Sequence, residues 1–139
     1  MKIDIITLFP EMFEGPFSES MISRAQKRGL VEIKIHQLRK WAIDKRGTID
    51  DRPYGGGPGM IMRVDVAYKA LESLRNKKLK IKDKKFGVPS APYIVLPTPK
   101  GKKFDQAMAQ SLAKKKHLVF LCPHYEGYDH RIESFVDEK

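Results

Sequence analysis

The residues best suited to bind a ligand lie in one glycine-rich stretch, residues 50–60, which reads Asp-Asp-Arg-Pro-Tyr-Gly-Gly-Gly-Pro-Gly-Met. Two carboxylates and a guanidinium, groups that form strong charged hydrogen bonds, precede four glycines and two prolines. Glycine loses backbone entropy in a helix or strand, and proline lacks an N–H donor, so this run cannot form a helix or an interior strand. We therefore predict a long irregular loop that lets a ligand or another backbone come close, as functional loops do.

Two shorter turn-rich segments, residues 97–101 and 123–128, each follow a short apolar run. The runs, at residues 93–96 and 118–121, are typical of buried parallel strands. Ligands of open α/β sheets bind beyond the carboxyl ends of such strands. The two segments are therefore predicted to form two walls of one pocket.

The rest of the chain alternates strand and helix patterns, which predicts an α/β fold with a mostly parallel sheet. Its 139 residues are enough for one domain with one core. Isoleucine-rich strands are predicted at residues 2–9 and 31–38. Helices are predicted from a cap at Ser18 or Ser20 to Arg28 with Gly29 as the stop, at residues 64–75 and 103–115, and from Asp129 onward.

The charge is strongly positive and unevenly distributed. The net charge is +10, and residues 61–120 carry 15 basic and 4 acidic side chains. This excess suggests a polyanionic partner, most simply nucleic acid, although a solvated lysine-rich surface is an equal alternative. The lysine-rich stretch 76–85 is predicted to be an exposed connection, with contact to RNA phosphates as the alternative.

Several classes of protein are excluded or disfavoured. The apolar start is too short to cross a membrane and lacks the layout of a signal peptide, so we expect no membrane association. A single cysteine, Cys122, excludes an internal disulfide and fits the reducing cytoplasm. Its place at the end of an apolar strand favours packing over nucleophilic chemistry.

Standard ligand motifs are also missing. No Gly-Lys-Ser/Thr follows the glycine-rich stretch, and Met60 stands where a dinucleotide-binding pattern requires its third glycine. This disfavours another kind of nucleotide-binding α/β enzyme. The four histidines are dispersed, so we predict no metal site.

Four segments together resemble the bacterial tRNA (guanine-N1)-methyltransferases, a knotted SPOUT-class family that methylates guanosine 37 beside the anticodon. Residues 5–13 (Ile-Ile-Thr-Leu-Phe-Pro-Glu-Met-Phe) look like the family's start, and residues 50–60 match its hallmark loop. Residues 98–101 (Thr-Pro-Lys-Gly) resemble its Ser-Pro-Gln-Gly turn. Residues 121–122 and 125–127 match its Leu-Cys-Gly-Arg/His-Tyr-Glu-Gly element.

The resemblance implies a fold and partners that composition alone does not. Residues 1–139 would form the S-adenosylmethionine-binding methyltransferase domain: a mostly parallel sheet flanked by helices, with a C-terminal trefoil knot that holds the cofactor. It further implies a cytoplasmic homodimer that holds the tRNA guanosine between its subunits.

Site residues carry over by position. The expected cofactor-binding residues are Leu96, Pro97, Thr98, Pro99, Gly101, Cys122, Pro123, Tyr125, Glu126 and Gly127. The expected tRNA-binding residues are Asp50, Asp51, Arg52, Gly55, Gly56, Gly57 and Gly59.

The resemblance also implies roles. Glu126 would favour the sulfonium or a ribose hydroxyl, with capping of the following helix as its alternative. Asp50 or Asp51 would accept hydrogen bonds from guanine, with turn capping or arginine pairing as the alternative. Arg52 would contact a phosphate or a guanine edge. Gly101 and Gly127 would allow close approach to the adenosine.

Two departures qualify these expectations. Pro123 replaces a glycine of the family and lacks an N–H, so we expect weakened or altered cofactor binding. The chain ends at Lys139, before the family's glycine-rich closing segment, its arginine and general-base aspartate, and its helical tRNA-binding domain. We therefore expect no catalytic residue in this N-terminal part and no methylation by it alone. The alternative is a non-catalytic basic RNA-binding module.

Overall fold

A four-stranded parallel sheet forms the centre of the computed structural model, which describes residues 1–76 and 91–139. The strand order is β2–β1–β6–β5, and every neighbouring pair is parallel. The strands are β1 (Lys2–Thr7), β2 (Glu32–Gln37), β5 (Tyr93–Val95) and β6 (His117–Leu121). The predicted α/β class with a mostly parallel sheet is therefore confirmed.

One face of the sheet packs against helix α3 (Val64–Asn76). The buried side chains of this helix recur with a helical period at Val66, Ala67, Ala70, Leu71 and Leu74, which is why one stripe of α3 covers the sheet. Inward-facing residues of the strands and the residue after β5 complete this core: Ile6, Ile94, Val119, Leu121 and Leu96.

The other face packs against helix α4 (Gln106–Ala113) through Leu112 and Met108. This helix is shorter than the predicted 103–115. The carboxylate of Asp105 accepts a hydrogen bond from the backbone N–H of Met108 at 2.8 Å, which sets the helix start. Phe104 consequently precedes the helix and is 67% exposed.

Two short helices, α1 (Glu14–Ser18) and α2 (Ser20–Lys27), connect β1 to β2. The predicted serine caps are wrong. Glu19 occupies the cap position with no side-chain hydrogen bond, and the Ser18 hydroxyl instead donates to the carbonyl of Gly15 at 3.0 Å. The predicted stop is confirmed, since Gly29 has φ of +67° just after α2.

A second, three-stranded sheet was not predicted. It contains β3 (Asp50–Asp51), β4 (Ile61–Met62) and β7 (Gly127–Tyr128) in the order β3–β4–β7. Asp50 and Asp51 are thus strand residues, and the irregular loop is shorter than the predicted stretch 50–60. A two-residue strand is too short to show periodicity, so the sequence pattern could not reveal this sheet.

Other segments complete the description. Single 3₁₀ turns cover Pro10–Phe13 and Leu38–Trp41, and the predicted last helical segment is a 3₁₀ helix, His130–Phe135. Among the described residues, no helix combines the length and apolar character that crossing a bilayer requires. The lysine-rich connection predicted for residues 76–85 lies, from residue 77 on, outside the described residues.

A fully buried carboxylate, Asp4, joins three strands of the sheet. Nε2 of His36 donates to one of its oxygens and Nε2 of His117 to the other, each at 2.6 Å, and Lys2 lies 3.2 Å away. Burial raises the pKa of Asp4, but the hydrogen bonds from His117 and His36 and the charge of Lys2 outweigh that effect. The pKa of Asp4 therefore lies well below its usual range.

We predict that Asp4→Ala lowers the free energy of unfolding by about 3 kcal/mol, because it removes a buried carboxylate and leaves two partly buried imidazoles without their acceptor. Urea unfolding at pH 7 measures the change. Glu11→Ala, which removes an exposed carboxylate, is the control and should change stability by about 0.5 kcal/mol or less.

Wild type and Asp4→Ala also test how the stabilisation by Asp4 depends on pH. A carboxyl whose folded pKa is depressed contributes its full stability above the unfolded pKa of about 3.9 and loses it as the pH falls from there. The stability difference between wild type and Asp4→Ala should therefore be constant near neutrality and shrink below about pH 4. A difference that grows on acidification would contradict this assignment.

Candidate active site

A cavity of about 980 Å³ opens at the carboxyl ends of β5 and β6. Its walls include residues 97–100 on one side and Pro123, Tyr125, Glu126 and Gly127 on the other. The predicted pocket with two walls is therefore confirmed as a geometric feature. Both walls reach the same edge because β5 and β6 are adjacent and parallel, with Val95 opposite Phe120.

The first wall is a tight turn. The Gly101 N–H donates to the Thr98 carbonyl at 3.0 Å, and the Lys100 N–H donates to the Thr98 hydroxyl at 3.4 Å. These two hydrogen bonds are formed within the turn itself. Pro97 and Pro99 of the turn line the cavity. The turn thus supplies a rigid apolar surface.

The glycine-rich loop forms a third wall that the sequence did not predict. Strand β4 pairs in parallel with β7, with Ile61 opposite Gly127, so the loop that precedes β4 is brought beside residues 123–127. Pro53 and Tyr54 of this loop line the same cavity. Loop and cavity therefore belong to one site.

Backbone geometry explains the glycines of this loop. Gly55, Gly56, Gly57 and Gly59 all have φ between +81° and +117°, which side-chain-bearing residues rarely adopt. Gly59 has a second constraint, since a Cβ there would lie 3.0 Å from Cβ of Glu126. The two loops therefore touch at a point where only glycine fits.

Asp50 and Tyr125 form a second link between the loops. Burial raises the pKa of the Tyr125 hydroxyl, and the charge of Asp50 raises it further. A carboxylate expected to face RNA thus lies beside an aromatic residue expected to face the cofactor. Asp51 instead accepts a hydrogen bond from the Arg52 N–H at 2.7 Å, which matches the turn-capping alternative for that carboxylate.

Glu126 is exposed and lines the cavity. The capping alternative for this residue is wrong, because Asp129 caps the helix His130–Phe135 by accepting from the Arg131 N–H at 3.0 Å. Glu126 therefore lines the cavity without capping the helix that follows.

Three expected cofactor residues lie apart from this cavity. Leu96 is fully buried in the core, and the half-buried Cys122 donates its N–H to the Ile6 carbonyl at 2.9 Å. Burial raises the pKa of Cys122 to about 11, which agrees with a packing role. At Gly101 the space for a Cβ is taken by the backbone of Lys139, whose carbonyl accepts from Lys102 N–H at 2.8 Å.

Sequence reasoning missed several residues of the cavity lining. Tyr54, Ile61, Tyr128, Asp129, His130 and Arg131 all contribute. Residues 128–131 directly follow the Tyr-Glu-Gly motif at residues 125–127. Their position next to that motif is the sequence feature that could have identified them. Within residues 1–76 and 91–139, no group of three His, Cys, Asp or Glu side chains is arranged to hold a metal ion.

Comparison with known proteins decides the family. The model of the family described as tRNA (Guanine-1)-methyltransferase TrmD matches residues 1–139. The chain belongs to this family. The recognition made from the four sequence segments is thereby confirmed.

Individual proteins of this methyltransferase family are similar to the chain over nearly its whole length. The chain is 43% identical over 136 residues to the tRNA (guanine-N(1)-)-methyltransferase of Dictyoglomus turgidum, covering 98% of this chain and 50% of that protein. The Bacillus subtilis protein of the same name is also 43% identical over 136 residues, covering 98% of this chain and 52% of the relative.

A solved structure of the family shares the fold. The crystal structure of tRNA (m1G37) methyltransferase from Aquifex aeolicus matches with a TM-score of 0.82 at 29% identity, over 99% of this chain and 57% of that one. The chain thus spans about half the length of the curated relatives it matches. The trefoil knot expected from the family stays a prediction.

We predict that Gly59→Ala destabilises the chain more than Gly56→Ala. Both positions have nearly equal positive φ, +83° and +81°, so both substitutions carry the left-handed penalty of about 1–2 kcal/mol. Only Gly59 also contacts Glu126, which adds about 1 kcal/mol of overpacking. Urea unfolding of the two variants isolates the contact, and equal losses would show that the loops do not touch there.

Proposed function

We propose that this chain supplies the S-adenosylmethionine pocket and the RNA-facing loop of a cytoplasmic enzyme that methylates N1 of guanosine 37 in tRNA. Family membership supports the reaction class. The observation that carries the proposal is the convergence of three loops on one cavity, with Gly59 against Glu126. A binding site for two reactants requires such convergence, because methyl transfer needs both held in line.

The cavity fits the cofactor in size and chemistry. Small-molecule pockets measure roughly 300–1,000 Å³ and combine mostly apolar walls with a few polar groups. Here prolines and tyrosines form the walls, and Glu126 adds a negative charge that favours a sulfonium or a ribose hydroxyl. S-adenosylmethionine supplies the activated methyl group when bound, while the chain's own residues hold and orient it.

The glycine-rich loop is suited to the nucleotide. Glycines without side chains let a splayed-out base approach the backbone, as RNA-modifying enzymes require. Asp50 lies at the junction with the cofactor loop, where it can accept hydrogen bonds from guanine N–H groups. Arg52, exposed at the start of the loop, adds a positive charge for phosphate or a guanine edge.

We also propose that a second copy of the chain completes the assembly. Exposed apolar side chains gather in the region of residues 9–22, where Met12 is 72% and Met21 is 78% exposed. Helix α2 buries no residue of its own. Where exposed apolar side chains form one patch on a folded protein, they commonly mark an interaction site.

Titration calorimetry with S-adenosylmethionine tests the proposal. Wild-type chain should bind S-adenosylmethionine, and ATP and NAD should not bind. Glu126→Gln should weaken S-adenosylmethionine about tenfold, the effect of losing one charge-assisted interaction.

The product S-adenosylhomocysteine, whose sulfur is a neutral thioether in place of the sulfonium, distinguishes the two possible roles of Glu126. If the carboxylate acts on the sulfonium, the substitution weakens only S-adenosylmethionine; if it acts on a ribose hydroxyl, it weakens both ligands equally. A chain that binds a tRNA transcript but neither adenosyl ligand is the RNA-binding module instead, and the proposal fails.

We predict that Pro123→Gly raises cofactor affinity. Proline lines the cavity at a position where its missing N–H withholds a backbone donor from any ligand. Restoring that donor should tighten S-adenosylmethionine roughly threefold or more, the effect of one net hydrogen bond. Pro99→Ala, on the opposite wall, controls for the general loss of a proline ring, and no gain in Pro123→Gly contradicts the expectation.

A further inference from the structure

Tyr54 and Arg131 form a bridge that the site described above does not use. Nη2 of Arg131 donates to the Tyr54 hydroxyl at 3.0 Å, and the guanidinium carbon lies 5.8 Å from the centre of the tyrosine ring. The two residues are 77 positions apart in the chain. The bridge therefore connects the glycine-rich loop to the segment after β7.

The Arg131 end of the bridge is rigidly anchored. Its Nε and Nη2 donate to the two oxygens of Asp129 at 3.0 and 2.6 Å, and the pKa of Asp129 is lowered by these bonds. Asp129 is buried, and its backbone N–H donates to the Met62 carbonyl at 3.0 Å. The guanidinium is thus fixed relative to both β7 and β4.

The Tyr54 end belongs to a loop with few other restraints. A Cβ placed on Gly55, Gly56 or Gly57 would meet nothing within 4 Å. Besides the Gly59 contact, the hydrogen bond and the ring contact that join residues 53–59 to other segments of the described residues are those of Tyr54 with Arg131. Tyr54 and Arg131 also line the same cavity, so the bridge crosses its rim.

We propose that Arg131 is a positioning residue that, through Tyr54, holds the glycine-rich loop in place beside the cofactor pocket. Arg131 suits this role because its planar fork contacts Asp129 and Tyr54 together, which a lysine cannot do. The inference rests on the proposed function for what the loop and the pocket bind, whereas the bridge itself is a property of the free chain.

Limited chymotrypsin digestion of the chain, followed by mass spectrometry, tests the bridge by measuring cleavage after residue 54. Chymotrypsin cleaves after both tyrosine and phenylalanine, so Tyr54→Phe removes the hydroxyl and keeps the cleavage site. When opening is fast, cleavage follows the population of the open loop. Because Tyr54 is 81% exposed, we expect cleavage after residue 54 to rise about threefold to fivefold, the lower part of the range for one hydrogen bond.

Three further variants make the result specific. Arg131→Lys should raise cleavage after Tyr54 by the same factor, and the double variant should rise no further, because both changes break one interaction. Tyr68→Phe loses a hydroxyl bond to Glu72 at 3.2 Å that involves neither the loop nor Arg131, and it should leave cleavage after Tyr54 unchanged. Unchanged cleavage in Tyr54→Phe and Arg131→Lys, or an equal rise in Tyr68→Phe, overturns the proposal.

Measurements of tRNA binding distinguish a failure of the positioning role of Arg131 from a failure of the proposed function. An unmodified tRNA transcript carrying guanosine 37 should bind Tyr54→Phe and Arg131→Lys about threefold more weakly than Tyr68→Phe. If cleavage rises but tRNA affinity is unchanged, Arg131 does not position the loop for RNA. If wild type binds neither tRNA nor S-adenosylmethionine, the proposed function fails while the cleavage result still decides the bridge.

Discussion

The candidate site depends on the parallel pairing of β4 with β7, which places Ile61 opposite Gly127 and Met62 opposite Tyr128. This short ladder holds the glycine-rich loop next to the loop that leaves β6. The contact between Gly59 and Glu126 needs that spacing, and so does the bridge between Tyr54 and Arg131. Without the ladder, the cavity would lose its third wall.

In the main sheet, the contacts that stabilise the fold differ from the loops that form the pocket. Within this sheet, Asp4 ties β1 to β2 and β6 through His36 and His117, and apolar side chains fill both faces. The strands are therefore held in register by contacts remote from the pocket. The loops at the carboxyl edge can then be irregular and rich in glycine and proline, because they are not needed to keep the strands together.

Predictions succeeded where local pattern and tertiary environment agree. The apolar runs at residues 93–96 and 118–121 predicted buried strands, and the helical period of residues 64–75 predicted α3. They failed where a single side chain decides a boundary. Asp105, rather than the start of the apolar pattern, sets the beginning of α4, and Glu19 takes the cap position expected for a serine. Capping depends on one hydrogen bond, which periodicity does not report.

By itself, the sequence determined the α/β class, the family and the two pocket walls, because strand periodicity, motif order and parallel topology are all properties read along the chain. Only the tertiary structure decided that Asp50 lies beside Tyr125, that Asp129 rather than Glu126 caps the last helix, and that Gly101 packs on Lys139. These contacts mostly join residues far apart in the chain. Two-residue strands and single contacts leave no periodic trace, so their partners become visible only when the chain is folded.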